Sequence, residues 1–305
     1  MLSLTLSTPE GPPSGERRLS LTLASSSLRT RGRLLRRNKL AVLGATLALL
    51  VLALGLLAPW VTPYDPIELD TPHRLEPPSP AHLLGTDPFG RDIVARLLFG
   101  SRTTLLVAVS AVAVALVAGG GLGLLAGFVG GRVERLAVML IDVLLSFPLL
   151  LLAILVAYIL GPGVMNLALA VGVAQVPTFA RLARALTLSM RERDFVTAAN
   201  ALGARPARVM LRHVLPNIAS PLGVQATSTL ALAILSATSL NFLGLGVQPP
   251  TPDWGAMVAE SKRYIFDRPE LSLYPGAAIL LTVVSLNLAG DGLLDVLGRR
   301  DRRAA

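Results

Sequence analysis

Five stretches of this chain contain no Asp, Glu, Lys or Arg: between Lys39 and Asp65, Arg102 and Arg132, Asp142 and Arg181, Arg212 and Asp253, and Glu270 and Asp291. Each has room for the roughly 20 mostly apolar residues that a helix needs to cross a bilayer. Hydrocarbon offers the backbone no hydrogen-bond partner, so such a crossing is helical or part of a closed barrel. The third stretch is long enough for two crossings, divided by Gly161-Pro162-Gly163, a strong turn signal. Six spans follow, at about 39–61, 102–129, 136–160, 164–185, 221–243 and 273–296. Only 15% of residues are charged and mean hydropathy is +0.62, where a soluble domain carries about 25% charge. The sequence predicts an all-α, polytopic integral membrane protein with one membrane domain over 39–298.

The net charge of +9 is a topology signal. Eight basic residues lie up to and including Lys39 at the start of the first span, two lie at Arg132 and Arg135, seven between Arg181 and Arg212, and four after the last span. These 21 of the 28 lysines and arginines fall on one side of a six-span layout. Basic residues in short loops mark the cytoplasmic face, so both termini are expected there. Residues 1–38, rich in Ser, Arg, Gly and Pro, read as a disordered basic arm held on anionic lipid by Arg29 to Lys39. Residues 299–305 read as a basic cytoplasmic tail. Nucleic acid is not an expected partner; membrane lipid is. The run Leu40 to Ala58 is long for a signal peptide and reads as an uncleaved first span, with Trp60 and Tyr64 at its outer interface.

Several chemistries lack their residues. Cysteine is absent, which excludes disulfides, thiolate metal sites and a Cys nucleophile. The glycines at 119–121, 123, 127, 130 and 131 do not form a phosphate loop, because the lysines, Lys39 and Lys262, are followed by Leu and Arg rather than Ser or Thr. They suit close helix packing in lipid. The histidines, His73, His82 and His213, have no metal-binding partner at helical spacing, and no Gly-x-Ser-x-Gly elbow occurs. Asp142, Asp291 and Asp295 stand near span ends, where pairing with Arg132, Arg135 or the basic loops gives them a structural role. The two-carboxylate reading as an intramembrane protease lacks its Gly-x-Gly-Asp within a span. No enzyme is predicted.

Two polar regions carry more pattern than a connector needs. The first outer loop reads Leu84-Gly-Thr-Asp-Pro-Phe-Gly-Arg-Asp-Ile-Val-Ala-Arg96, with turn and capping chemistry at Asp87, Gly90, Arg91 and Asp92 before a short amphipathic helix, Ile93 to Phe99. The second outer loop, 244–272, holds Asp253-Trp254-Gly255. On the opposite side lies an Arg-rich island. There Asp194 is placed to cap a helix of about two turns, roughly 12 Å long, ending at Gly203. Phe195, Ala198, Ala199 and Leu202 share one face, two large apolar residues around a small centre. Pro206 starts a second helix and Pro216 is expected to stop it.

The island resembles the coupling loop of binding-protein-dependent ABC importer permeases, Glu-Ala-Ala, three residues, Gly, nine residues, then x-Leu-Pro. Here it stands as Thr197-Ala198-Ala199, Gly203 and Val214-Leu215-Pro216, with Thr in place of Glu. Gly85-Thr-Asp-Pro-Phe-Gly-Arg-Asp92, Asp142-Val-Leu-Leu-Ser-Phe-Pro148, Asn241 to Gly255 and Asn287-Leu-Ala-Gly-Asp-Gly292 resemble the dipeptide/oligopeptide/nickel subfamily, in its C-type subunit. After Gly292 the chain departs from that pattern, with Leu294 and Gly298-Arg-Arg300.

The resemblance implies a type I importer permease (MetI-like) fold in a bacterial or archaeal inner membrane. It implies a second, B-type permease, two ATPases that bind ATP and Mg, and an external solute-binding protein. Asp194, Thr197, Ala198, Ala199, Gly203, Leu215 and Pro216, within a coupling loop at 190–217, would then meet an ATPase. Asp87, Gly90, Arg91, Asp92, Asp253 and Trp254 would form the docking surface and outer gate. No cofactor is expected in this chain. The implied solute is a di- or oligopeptide, with nickel or another small solute as the alternative. A stand-alone secondary transporter or channel is the competing reading, and the inverted repeat it could show is not evident.

Overall fold

A computed structural model describes residues 39–304. Residues 1–38, where the basic arm is expected, lie outside the described residues. Among the described residues the regular structure is helical: α1 Lys39–Val61, α2 Ile93–Val129, α3 Gly131–Leu145, α4 Leu149–Leu160, α5 Val164–Arg191, α6 Asp194–Ala201, α7 Pro206–Phe242, α8 Trp254–Ser261 and α9 Glu270–Ala304. Helices α1, α2, α5 and α7, and α9 over Glu270–Gly292, are each long and apolar enough to cross a membrane. The protein is therefore a multi-pass, all-helical membrane protein.

One expected crossing is corrected in shape, from one helix to a broken pair. The stretch 136–160 is two helices, α3 and α4, bent by 94°. The break is chemical. Pro148 disfavours helical backbone at the residue before it, and the chain turns through Ser146, whose hydroxyl donates to the Val143 carbonyl at 2.7 Å. Helix α4 restarts with Leu152 N donating to Pro148 O at 3.0 Å. At about 1.5 Å per residue neither piece alone spans a hydrocarbon core of about 30 Å. The expected short helix at Ile93 to Phe99 is likewise absorbed, continuing without interruption into α2.

Helix α5 is the hub, packing on α2, α3, α4 and α7, while α1 lies along α9. The contact between α2 and α5 is close because small residues face it. A methyl added at Gly127 would sit 2.9 Å from the Arg184 carbonyl, and methyls at Gly119 and Gly123 would overlap the carbonyls of Val176 and Ala180. Gly121 and Gly131 have open space instead, so only part of the glycine run serves packing. The core beneath is fully buried at Val107, Leu167, Val171, Phe179, Ile218 and Ile234. Much of the remaining surface is apolar, as at Leu49, Leu136 and Leu280, which suits helices facing lipid or other membrane helices.

Pro216 is a second correction. It does not stop a helix; it lies in the first turn of the long part of α7, just after a π turn at Met210–Val214. A proline removes its own donor and presses on the carbonyl four residues back, and a π turn is one way a helix absorbs that. Two ion pairs join α3 to α5: Asp142 with Arg181 at 3.2 Å, rather than with the expected Arg132 or Arg135, and Glu134 with Arg184.

Candidate functional site

The two ends of the molecule are built differently. At one end the 62–92 loop and the segment from Gly244 to α8 come together. At the other, α6 and the start of α7 form the island.

At the loop end Asp87 organises the turn. Its carboxylate accepts from the backbone N–H groups of Phe89 at 2.8 Å and Arg91 at 3.0 Å. Gly90 holds φ +79°, and a side chain there would also overlap the Asp70 carbonyl. The turn thereby aims Arg91 inward, its Nε donating to Asp87 at 2.6 Å and its Nη2 to Glu260 of α8 at 2.8 Å. Arg96, from the first turns of α2, bonds both Asp87 and Glu260, the latter at 2.8 Å. Two guanidinium groups and two carboxylates thus interlock with almost no solvent exposure (Arg91 2%, Arg96 1%, Asp87 8% and Glu260 15% of the side chain). Buried charges are tolerated only when paired and hydrogen-bonded. Here one atom falls short: Arg96 Nε has no partner among the described residues.

A second cluster adjoins it. Asp253 caps α8, accepting from Gly255 N at 2.9 Å and Ala256 N at 3.1 Å. It also accepts from the Thr104 hydroxyl at 2.7 Å and from the Asn241 amide. Burial, the largest influence, raises the Asp253 carboxyl above its ordinary range, while those four donors pull it down. Trp254 closes the cluster by donating Nε1 to the Leu97 carbonyl at 2.9 Å. Asp92 caps α2 through Ala95 N at 2.7 Å and holds His82 at 2.9 Å. The expected outer-loop residues Asp87, Gly90, Arg91, Asp92, Asp253 and Trp254 are therefore gathered into one lock between α2, α7 and α8.

Sequence reasoning missed Glu260, Thr104 and the role of Arg96. The local sequence gives no signal of it, since Asp87 and Asp92 already balance Arg91 and Arg96 in charge. Their partner lies 164–169 residues away and no local pattern names it.

The island is anchored by few residues. Val196, Val209 and Val214 are fully buried in the core. Asp194 is the first residue of α6 and not its cap, because the Arg193 carbonyl accepts from Val196 and Thr197. The far end closes as expected: Gly203 has φ +74°, and Ala204 N donates to Ala199 O at 3.1 Å, the six-to-one bond of a Schellman cap. Arg191 reaches across to the Gly127 and Phe128 carbonyls at the end of α2. On the face read from the sequence, Ala199 is half-buried, whereas Phe195 (43%), Ala198 and Leu202 (88%) are exposed. Thr197, Gly203, Leu215 and Pro216 are exposed too. Leu215 and Pro216 belong to α7, on a different helix from the Ala-Ala pair.

A polytopic helical bundle with one locked loop face and one exposed, capped surface helix fixes the architecture but not the function. Comparison with known proteins settles the family. Residues 119–303 match the family described as binding-protein-dependent transport system inner membrane component. Residues 28–78 match the N-terminal TM domain of oligopeptide transport permease C. The chain is 45% identical, over 88% of its length and 90% of the relative's, to a di/tripeptide transport system permease protein of Pseudomonas aeruginosa. It is 42% identical to a dipeptide transport system permease protein of Alkalihalophilus pseudofirmus, over 86% of each chain. A glutathione transport system permease protein of Pectobacterium atrosepticum is 40% identical, over 86% of this chain and 87% of its own. The protein belongs to the binding-protein-dependent transport system inner membrane component family. It is an inner-membrane permease subunit of an ABC importer and not itself an ATPase.

Proposed function

We propose that this permease carries short peptides and that α6 is the surface through which ATP hydrolysis reaches the bundle. One observation carries the coupling role. Helix α6 and the turn that ends it expose Phe195, Ala198 and Leu202, while Val196 holds the other face in the core. A short, well-capped helix that leaves large apolar side chains in water is shaped to enter a groove on another protein. Thr197 brings a hydroxyl to that contact where a carboxylate is usual. The names of the relatives, di/tripeptide, dipeptide and glutathione permeases, support short peptides as the solute.

The same reading completes the topology. The bent pair α3–α4 counts as the third of six crossings, because it takes the chain from Phe128, beside Arg191, to Gly163, which bonds Gly246 at the loop end. The island then faces the cytoplasm with both termini. A B-type permease supplies the other half of the path, two ATPases bind the islands of the pair, and a solute-binding protein docks on the face around Asp87 and Asp253. Motion of the ATPases moves α6 and biases the bundle between two states, which is the requirement for coupling. Replacement of Gly203 by Trp tests this in the assembled importer. The expected result is ATP hydrolysis without uptake at normal membrane levels; normal uptake would overturn the coupling role.

A further inference from the structure

Arg102 sits where two surface cavities meet. On one side is a groove of about 510 Å³ between α1 and α2, lined by Leu52, Leu56, Leu105, Leu106 and Val109. On the other is an open pocket of about 510 Å³ at the loop end, whose wall includes Thr62, Tyr64, Asp65 and Thr103. Arg102 is the residue that lines both.

Its position has a local cause. Pro59 stands within α1 and has no N–H, so the Gly55 carbonyl loses its helical donor. Arg102 Nε donates to that carbonyl and Nη2 to the Leu56 carbonyl at 2.6 Å. The guanidinium also stacks 5.1 Å from the Phe99 ring centre. Nη1 has no protein partner among the described residues, leaving a fixed cation with unused donors at the rim of an apolar groove. Trp60, 79% exposed, marks the same level as an interfacial residue. On the wall of the loop-end pocket, exposed Asp65 accepts the Ile67 N–H on Oδ1 at 2.8 Å.

A cation and an anion facing one pocket, above an apolar channel, complement a zwitterion with a hydrocarbon tail. We propose that this site holds one phospholipid with an ethanolamine-type headgroup. An acyl chain lies along Leu52, Leu56, Leu105, Leu106 and Val109. The phosphate meets Arg102 Nη1, and the ammonium meets Asp65. A lipid with a purely anionic headgroup would bring its charge against Asp65. The bound lipid packs α1 onto α2 at the end where Pro59 weakens the helix.

The proposal depends on membrane embedding alone, not on the coupling role of α6. It is tested on the full chain in native membranes, then purified in detergent and titrated with phosphatidylethanolamine or phosphatidylglycerol under native mass spectrometry. The chain has no cysteine, so Leu106→Cys carrying a photoreactive maleimide reports a single position. A phospholipid adduct is expected; an adduct to another polypeptide would overturn the proposal and make the groove a protein interface. Leu106→Trp, which fills the groove, should reduce phosphatidylethanolamine retention about tenfold, and Arg102→Ala should match the tenfold that a lost charge-assisted hydrogen bond gives. Asp65→Asn should abolish the preference for ethanolamine over glycerol headgroups. Arg102 also supports the α1 backbone, so Leu106→Trp and Asp65→Asn, which leave that support intact, decide the matter: unchanged retention and selectivity in both would refute it.

Discussion

The loop end and the island end of this permease place similar residue types in opposite situations. At the loop end Arg91, Arg96, Asp87 and Glu260 are buried and bonded across three segments. At the island, Arg191 reaches only backbone carbonyls and Leu202 is 88% exposed. Charges that must hold a shape are buried and paired within the chain. The apolar side chains of the proposed coupling surface are left out in solvent on a stiff support. On that proposal, the difference separates a part of the molecule that determines its own geometry from a part whose geometry a partner completes.

The largest effect expected from breaking this contrast lies in the buried lock. Removing one partner strands the others without compensation, so Glu260→Ala or Arg96→Ala should cost about 3–5 kcal/mol. The loss would show as a lowered melting temperature, or loss of folded material, in detergent. Replacing Asp253 by Ala removes a helix cap, worth about 1 kcal/mol, and leaves the Thr104 and Asn241 donors unpaired; chemical denaturation would measure it. Burial raises the Asp253 carboxyl, so the folded state binds its proton more tightly than the unfolded chain. Stability tied to this group therefore rises as pH falls from neutral toward the ordinary Asp range, and Asp253→Asn should flatten that slope.

At the island, Gly203→Val confronts a backbone at φ +74° with open space around it. The penalty is conformational only, about 1–3 kcal/mol, and its main effect should appear in transport. The smallest effect belongs to Arg181→Ala. Its pair with Asp142 is 64% and 59% exposed, and exposed pairs contribute less than about 1 kcal/mol. A melting temperature indistinguishable from the parent is expected there. A large drop would mean that the bend between α3 and α4 depends on that pair.

Much of the bundle was legible because membrane burial writes itself into sequence as absence of charge. The gaps after Lys39, Arg102, Arg212 and Glu270 correspond to α1, α2, α7 and α9. Helix ends were legible where backbone chemistry is local, as at Gly203 and Pro206. The 94° bend was not, because Pro148 turns the chain by sterics while Ser146-Phe147-Pro148 carries no charge to interrupt an apolar run. Pro216 misled for a related reason: a proline ends a helix unless a π turn before it absorbs the strain. The lock illustrates a deeper limit. Asp87 and Arg91 announced a turn through their spacing, but the partnership with Glu260 exists only after α8 has folded beside α2.

The contrast between a self-contained end and an end completed by a partner is tested most directly by Leu202→Asp in the assembled importer. Melting temperature and membrane level should match the parent, since Leu202 touches little of its own chain, while ATP-driven uptake of a dipeptide is lost. Normal uptake with that aspartate in place would contradict the assignment of α6 as the coupling surface.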